Sequence, residues 1–275
     1  MIEMTDLRKI QLMQLDMLKA IARICEENGI RYYALGGTLL GAVRHKGFIP
    51  WDDDLDIGMP RPDYDRFMKL VGKKVGKYYV HHCYNDKKFI YPYIRVQDPS
   101  VLLCRENTKN KTLQELWVDV FPLDGAPSSK LGTFLWKQKL TVLRGLRNLS
   151  CFDELVNVNK EYHGIRKIVF AIGNNSGIQK LFNTNKILRA IDKALKKYPY
   201  ETSRLIGNTM GGHWFDEVYP KKNYARTILL PFEDTKVPAP AGYHNIMTLM
   251  YGNYMQLPDE KDRNWHGTSI HKINE

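Results

Sequence analysis

No stretch of this sequence approaches the roughly eighteen apolar residues in a row that a membrane-spanning helix needs. The opening segment MIEMTDLRKIQ carries Glu3 and Asp6 where a secretory signal would be apolar, so no export signal is expected there. Cysteine is scarce and scattered, with Cys25, Cys83, Cys104 and Cys151 far apart and no CxxC pair. That spacing indicates neither a zinc ribbon nor a disulfide framework, and the cytoplasm is the default compartment. Internal repeats and low-complexity tracts are absent too. The 43% hydrophobic and 26% charged content is that of a globular chain, and 275 residues suffice for one large domain or two small ones. Acidic residues are in the minority. A formal net charge of +11 suits an anionic partner, whether nucleotide, nucleic acid or acidic membrane surface, without choosing among them. Positions 125–152 contain no acidic residue at all.

Where acids do occur, they concentrate. The stretch LGGTLLGAVRHKGFIPWDDDLDIGM, from Leu35 to Met59, ends in Asp52, Asp53, Asp54 and Asp56. Strand alternation would put Asp54 and Asp56 on one face, with Leu55 and Ile57 on the other. Two such carboxylates repel unless a cation lies between them, and oxygen-only ligands suit a hard ion such as Mg²⁺. Upstream, Gly36-Gly37-Thr38 offers backbone N–H groups and a hydroxyl to a phosphate, because glycine leaves the approach open. Arg44, His45 and Lys46 form a basic turn between the two. A run of aspartates alone is as often a solvated loop; the glycine turn before it and the apolar alternation after it favour a site for a metal-bound nucleotide phosphate.

A second carboxylate stands out in ELWVDVF. Asp119 lies inside an apolar run, where an unpaired charge is costly, so it needs a partner, a metal, or a turn to tie down. Asp124 more plausibly orders the turn at Gly125. The apolar periodicity predicts a helix over Met4–Asn28, a strand over Ile30–Leu35, a short helix Leu39–His45 capped by Thr38, and a strand Leu55–Met59. A helix over Pro60–Val71 follows, with Arg61, Asp63 and Asp65 on its surface. Strands are predicted over Lys77–Tyr84, Phe89–Val96, Val101–Cys104 and Glu115–Phe121, the last ended by Pro122. The acid-free stretch reads as a basic amphipathic helix. Its Leu131, Phe134, Leu135, Leu140, Leu143 and Leu146 pack inward, and Lys130, Lys137, Lys139, Arg144 and Arg147 form a solvated or membrane-facing surface. Residues 159–197 continue helical, interrupted by a loop at 173–177. Met210-Gly211-Gly212-His213-Trp214 could form a second glycine loop, but alone it is a weak signal and a simple turn is the better reading.

The string from Leu35 to Met59 resembles the signature of the LicD family, within the nucleotidyltransferase fold superfamily, in which Gly-Gly or Gly-Ser leads to Asp-x-Asp. WVDVFPLD puts that family's third carboxylate at Asp119. Leu229 to Pro258 resembles its C-terminal pattern: Pro-Phe-Glu-Asp, a proline pair, a helix, then Tyr-Gly-x-Tyr-Met-x-Leu-Pro, with Arg263 and His266 in the place of its closing basic residues. The resemblance implies an α+β fold: a nucleotidyltransferase-like mixed β-sheet flanked by helices, with a mainly helical C-terminal half. It implies a catalytic core over 1–125 and a helical region over 126–275 whose last motif returns to the site. The implied reaction is Mg²⁺-dependent (or Mn²⁺-dependent) transfer of a phospho-alcohol, phosphocholine foremost, from a CDP-linked donor such as CDP-choline. The acceptor would be a hydroxyl of a cell-surface glycan or teichoic-acid precursor, lipid-linked, with CMP released. Asp54, Asp56 and Asp119 are the expected catalytic and metal residues. Gly36, Gly37, Thr38, Arg44, Lys46, Trp51, Tyr254, Arg263 and His266 are expected to bind substrate, and Tyr251 and Trp265 are further aromatics near the motifs. Peripheral contact with an anionic membrane on the cytoplasmic side fits the charge. Two alternatives stay open: a nucleotidyltransferase acting on a small molecule, which keeps the same aspartates, and a basic nucleic-acid-binding protein. The last is disfavoured because no base-reading motif interleaves with the basic residues.

Overall fold

The computed structural model describes residues 5–109, 111–157, 161, 163, 167, 170–171, 173–174, 177–260, 263 and 268–273. The described strands form a nine-stranded mixed sheet and a separate hairpin. The path of the large sheet is β1 (Tyr33–Ala34), β2 (Asp56–Pro60), β6 (Thr112–Ala126), β5 (Ile94–Arg105), β4 (Tyr78–His81) and β3 (Lys74–Val75). The decisive pairing is parallel: β2 runs alongside β6 with Asp56 opposite Asp119. The expected mixed α+β sheet with helices on its faces is therefore present.

Helix α1 (Asp6–Glu27) begins where the Thr5 hydroxyl accepts the Arg8 N–H and ends at Asn28-Gly29, the glycine at φ +58. Its inner face carries Ile10, Leu15, Met17, Leu18, Ile21 and Cys25, and also two buried glutamines. Gln11 Nε2 donates to the Ile49 and Asp52 carbonyls (3.1 and 2.9 Å); Gln14 Nε2 donates to those of Asp53 and Trp117 (3.1 and 3.2 Å). The acidic segment is thus pinned by its backbone to α1 and β6, which satisfies carbonyls that burial would otherwise strand.

Among the expectations that need correction, two concern element ends and one concerns burial. Helix α2 spans Gly36–Arg44 with Leu35 at its N-cap, so Thr38 sits inside the helix rather than capping it. β6 does not stop at Pro122 but continues to Ala126. The Asp119 N–H points to β2, bonding Leu55 O, so the missing N–H at Pro122 points to the opposite edge, where pairing with β5 has already ended at Val120. Arg61 and Asp63 are buried rather than on the surface of α3 (Arg61–Phe67). Arg61 forks onto Asp124 at 2.6 and 2.7 Å and reaches Asp192 at 3.3 Å. Asp124 therefore answers the Arg61 guanidinium.

Helix α4 (Lys130–Ser150), capped by Ser129, lies where the acid-free stretch predicts it, but its faces are partly exchanged. Trp136, Leu140, Arg144 and Arg147 face inward, while Leu131, Phe134, Leu135 and Val142 are 57–69% exposed. Of the helical expectation for 159–197, the described residues 167, 170, 171, 173 and 174 are helical, the last two where a loop is expected, a 3-10 turn spans Ile178–Leu181, and a regular helix spans Thr184–Leu195. Strands then return to the sheet: β7 (Leu205–Gly207) pairs with the end of β6, β8 (Val218–Pro220) pairs with β7, and β11 (Thr268–Ile273) pairs with β5. The hairpin β9 (Thr227–Phe232) and β10 (Thr235–Pro240) precedes the helix Tyr243–Tyr251.

Candidate active site

A cavity of about 830 Å³ opens at the N-terminal end of α2. Gly36, Gly37, Arg44, Trp51, Asp52, Asp54 and Asp56 line one side; the segment 208–217 and the segment 251–259 line the rest. Residues of the segment 251–259, within the C-terminal motif, line the same cavity as Asp52, Asp54 and Asp56. Tyr254 lines the cavity with its hydroxyl 2.8 Å from His244 Nδ1, and the Arg263 guanidinium lies 4.8 Å from the centre of the Trp51 ring. His266 and Trp265 lie outside the described residues.

Two glycines are needed for geometry. Gly36 has φ +47, a left-handed value that other side chains strain to adopt, and a Cβ on Gly37 would collide with the Asp52 carboxylate. The approach to the first turn of α2 thus already carries an acid. Thr38 is buried and does not line the cavity: its hydroxyl accepts the Asp56 N–H at 2.8 Å, tying α2 to the start of β2. Thr38 positions Asp56, and the expectation that it holds a phosphate is corrected. Lys46 is also elsewhere. At φ +58 its ammonium bonds the Val43 carbonyl at 3.0 Å, on the exposed side of the turn. Arg44 does border the cavity, with its Nη1 donating to the carbonyls of Tyr254 (3.0 Å) and Gln256 (3.2 Å), so it braces the C-terminal loop.

Asp54 precedes β2 and Asp56 begins it, with fully buried Leu55 turned the other way. Burial pushes the Asp56 carboxyl well above the usual range, and the charges of Asp54, Asp119, Asp52 and Glu217 push it further. Asp119, one strand over, has the partner its burial demands: Arg95 contacts its two oxygens at 2.7 and 3.3 Å, and the Tyr93 hydroxyl lies at 3.5 Å. Burial raises its carboxyl, and Arg95 holds it partly back. Arg95 is itself layered between the rings of Tyr91 (3.4 Å) and Trp117 (4.4 Å).

Sequence reasoning passed over several groups here. Glu217 is buried at the cavity wall, accepts from Asn208 Nδ2 at 3.1 Å, and is pushed up to about 7 by burial. Asn208 folds the following loop by accepting the N–H groups of Met210 and Gly211 (2.9 and 3.2 Å), so Gly211, Gly212 and His213 face the cavity and are more than a simple turn. Arg144 of α4 holds that loop through the Thr209 and Gly211 carbonyls and lies over the Trp214 ring. Glu217 had no local signal; the Gly-Gly-His string was the only hint.

Among the described lining residues, five carboxylates (Asp52, Asp54, Asp56, Glu217, Asp259) face one guanidinium, Arg44. An anionic nucleotide entering unaccompanied would be repelled. No group of three or more potential ligands closes around one point among the described residues. That is compatible with Mg²⁺, which is commonly held by one or two carboxylates and completed by water and substrate phosphate. The residues present fit such an ion.

A family model described as LicD/FKTN/FKRP, nucleotidyltransferase domain, matches residues 29–143, the span from β1 through α2, β2 and β6 into α4. This span is a LicD-type nucleotidyltransferase domain. The lipopolysaccharide cholinephosphotransferase LicD of Haemophilus influenzae is 29% identical over 266 residues, covering 94% of this chain and 95% of that protein. The ribitol 5-phosphate transferase FKRP of Mus musculus is 41% identical over 56 residues, which is 20% of this chain and 11% of that protein. The chain that carries this domain is accordingly an enzyme, a phosphotransferase of the LicD type.

Proposed function

We propose that this enzyme transfers phosphocholine from CDP-choline to a hydroxyl of a cell-surface glycan or teichoic-acid precursor. The observation that carries this is the acid-lined cavity. A surplus of carboxylates favours a donor whose head group is cationic, and the Tyr251 and Tyr254 rings at its wall suit a quaternary ammonium. The H. influenzae relative named as a cholinephosphotransferase, aligned over nearly its whole length, supports the same choice. Trp51 is a weaker candidate for the head group because Arg263 already covers its ring.

In this reaction an acceptor hydroxyl oxygen forms a bond to the phosphorus that carries choline. The phosphorus–oxygen bond to CMP breaks, and CMP leaves with the electron pair. A bound Mg²⁺, or Mn²⁺, would supply charge neutralisation for the diphosphate, with Asp54 and Asp56 as the residues to hold it. Asp119 takes the hydroxyl proton, with Arg95 fixing the orientation of its carboxylate. Thr38, Gln11 and Gln14 hold the acidic segment still. The acceptor in this reading is carried on a lipid. No described helix is long and apolar enough to cross a membrane, and peripheral contact falls to the outward face of α4, where Leu131, Phe134, Leu135 and Val142 are exposed beside lysines.

The test is CMP release, scored by mass spectrometry, from CDP-choline, CDP-glycerol and CDP-ribitol with and without Mg²⁺ and envelope glycan precursors. CDP-choline with Mg²⁺ should turn over fastest. Faster release from a neutral polyol donor would overturn the choice of head group, and activity undiminished by chelator would overturn the metal.

A further inference from the structure

A second cavity, of about 270 Å³, lies between β5, β6 and the end of α4. Asp54 lines both this cavity and the larger one, whereas Asp119 lines only the smaller. A transfer reaction needs two substrates to meet at one point. The donor's place next to Asp56 is the large cavity, and the proton acceptor Asp119 faces the other side. The volume falls just below the roughly 300–1,000 Å³ usual for sites that take drug-sized ligands, so it suits one small unit.

The chemistry of its walls is distinctive. Arg147 projects from α4 at 8% exposure. Its Nε donates to the Ile90 carbonyl at 2.8 Å and its guanidinium lies 5.6 Å from the Tyr91 ring centre, but no carboxylate among the described residues forms an ion pair with it. Burial pushes its ionisation downward, with nearby tyrosines opposing. Arg105 borders the same space, also without an ion pair among the described residues. Arg95 differs, because Asp119 neutralises it. Two guanidinium groups therefore face the cavity with fork-shaped donors and no ion pair among the described residues, with the Arg105 charge felt at Asp119 from a distance, while Asp53, Asp54 and Asp119 supply the carboxylates along its wall. A buried cation without a counter-charge is destabilising unless a ligand completes it. Arginine forks match phosphate and carboxylate oxygens in particular.

We infer that this second cavity is the acceptor site, and that it takes a sugar or polyol unit bearing a phosphate or carboxylate group, gripped by Arg105 and Arg147, with a free hydroxyl presented to Asp119. The inference rests on the phosphotransfer reading for the hydroxyl's role, but the anion grip is testable by itself. Equilibrium binding of glucose, glucose 6-phosphate, glucuronate and inorganic phosphate to the full chain would be measured, with CMP as the probe for the large cavity. A charged sugar should bind at least tenfold more tightly than glucose. Comparison of the phosphate with the carboxylate tells which anion is preferred, and inorganic phosphate shows how much the sugar adds. Arg105→Gln, on a half-buried residue, should remove most of that advantage and leave CMP binding unchanged; Arg147→Lys, which keeps charge but loses the fork, should weaken it less. Equal binding of glucose and its charged forms, or a charged-sugar affinity indifferent to Arg105→Gln in a folded variant, overturns the inference. Should the charged sugar bind through Arg105 while no CDP-alcohol is turned over, the anion site stands and the phosphotransfer reading is what falls.

Discussion

Replacing Asp54 or Asp56 by Asn keeps shape and removes the charge that would hold a cation, so donor turnover should collapse, with added Mg²⁺ restoring little. Asp119→Asn should lower transfer by about 10²–10⁴ while donor binding persists, the range typical of a general base. Donor-binding calorimetry beside CMP release separates these roles. Loss of donor binding in Asp119→Asn would make that residue a metal ligand instead. This variant also leaves Arg95 facing a neutral partner, so its unfolding must be measured alongside. Asp52 and Asp53 do not serve as inert controls, because Asp52 packs on Gly37 in the large cavity and Asp53 is buried at the small one. Glu217 gives a pH signature. Its carboxyl is raised to about 7 in the fold against an ordinary value near 4.5. The protonated form is thus favoured on folding, and the stability it contributes is complete below about pH 4.5 and is lost as pH rises through about 7. Glu217→Gln in chelator should flatten that part of the stability profile, by roughly 3 kcal/mol between its limits. Parallel profiles for the two proteins would remove Glu217 as the cause. The Asp-x-Asp and glycine turn were legible because contact and sequence neighbourhood coincide there. Glu217 was not, since only the folded chain brings it to Asp56.

Single elements carry roles that periodicity does not reveal. In α4 a helical repeat identified the element, yet Arg144 and Arg147 turn inward because backbone carbonyls and aromatic faces await them. Sequence patterning treats every arginine as solvent-seeking, so the apolar side chains thus left outside went unrecognised. The same blindness hid Gln11 and Gln14, whose amides find carbonyls on other segments. The exposed Leu131, Phe134, Leu135 and Val142 with Lys137 and Lys139 should give weak, salt-sensitive binding to vesicles rich in anionic lipid. Co-sedimentation should fall when Phe134 and Leu135 are changed to Ser, and when Lys137 and Lys139 are reversed to Glu. Binding that ignores both pairs would leave the stripe a bare helix face. The strand β6 was legible in its apolar run but not in its length, which depends on which edge Pro122 leaves unpaired.

Across the whole molecule, the net charge of +11 and the acid-lined cavity are opposite in sign, so the protein's overall field attracts anions while its pocket demands that they arrive with a cation. The first and second halves are joined by a buried ionic knot: Arg61 with Asp124 and Asp192, with Tyr84 (2.6 Å) and Lys196 (3.1 Å) also on Asp192. Removing the centre of such a knot strands Asp124 and leaves Asp192 with only Tyr84 and Lys196. Arg61→Met should therefore cost about 3–5 kcal/mol of unfolding free energy by denaturant titration, and more than Asp124→Asn. A loss under about 1 kcal/mol would show that the halves hold together without it. The mixed sheet was foreseeable from strand spacing. That β11 closes onto β5, and so ties Thr268–Ile273 to the sheet's middle, was not, because strand order is a property of long-range pairing.

The rung that joins Asp56 to Asp119 has a genetic corollary. Their spacing is set by the hydrogen-bonded ladder between two parallel strands, so the exposed turns of the segment joining them are free to change length. Lengthening a loop is cheap, about 0.6 kcal/mol for each doubling. A short Gly-Ser insert after Lys87, in the exposed turn 84–88, should leave turnover near that of the parent, while a one-residue insertion within 56–60 should abolish it. Length variation among members of such a family is then expected to gather in the crossover, far from the rung itself.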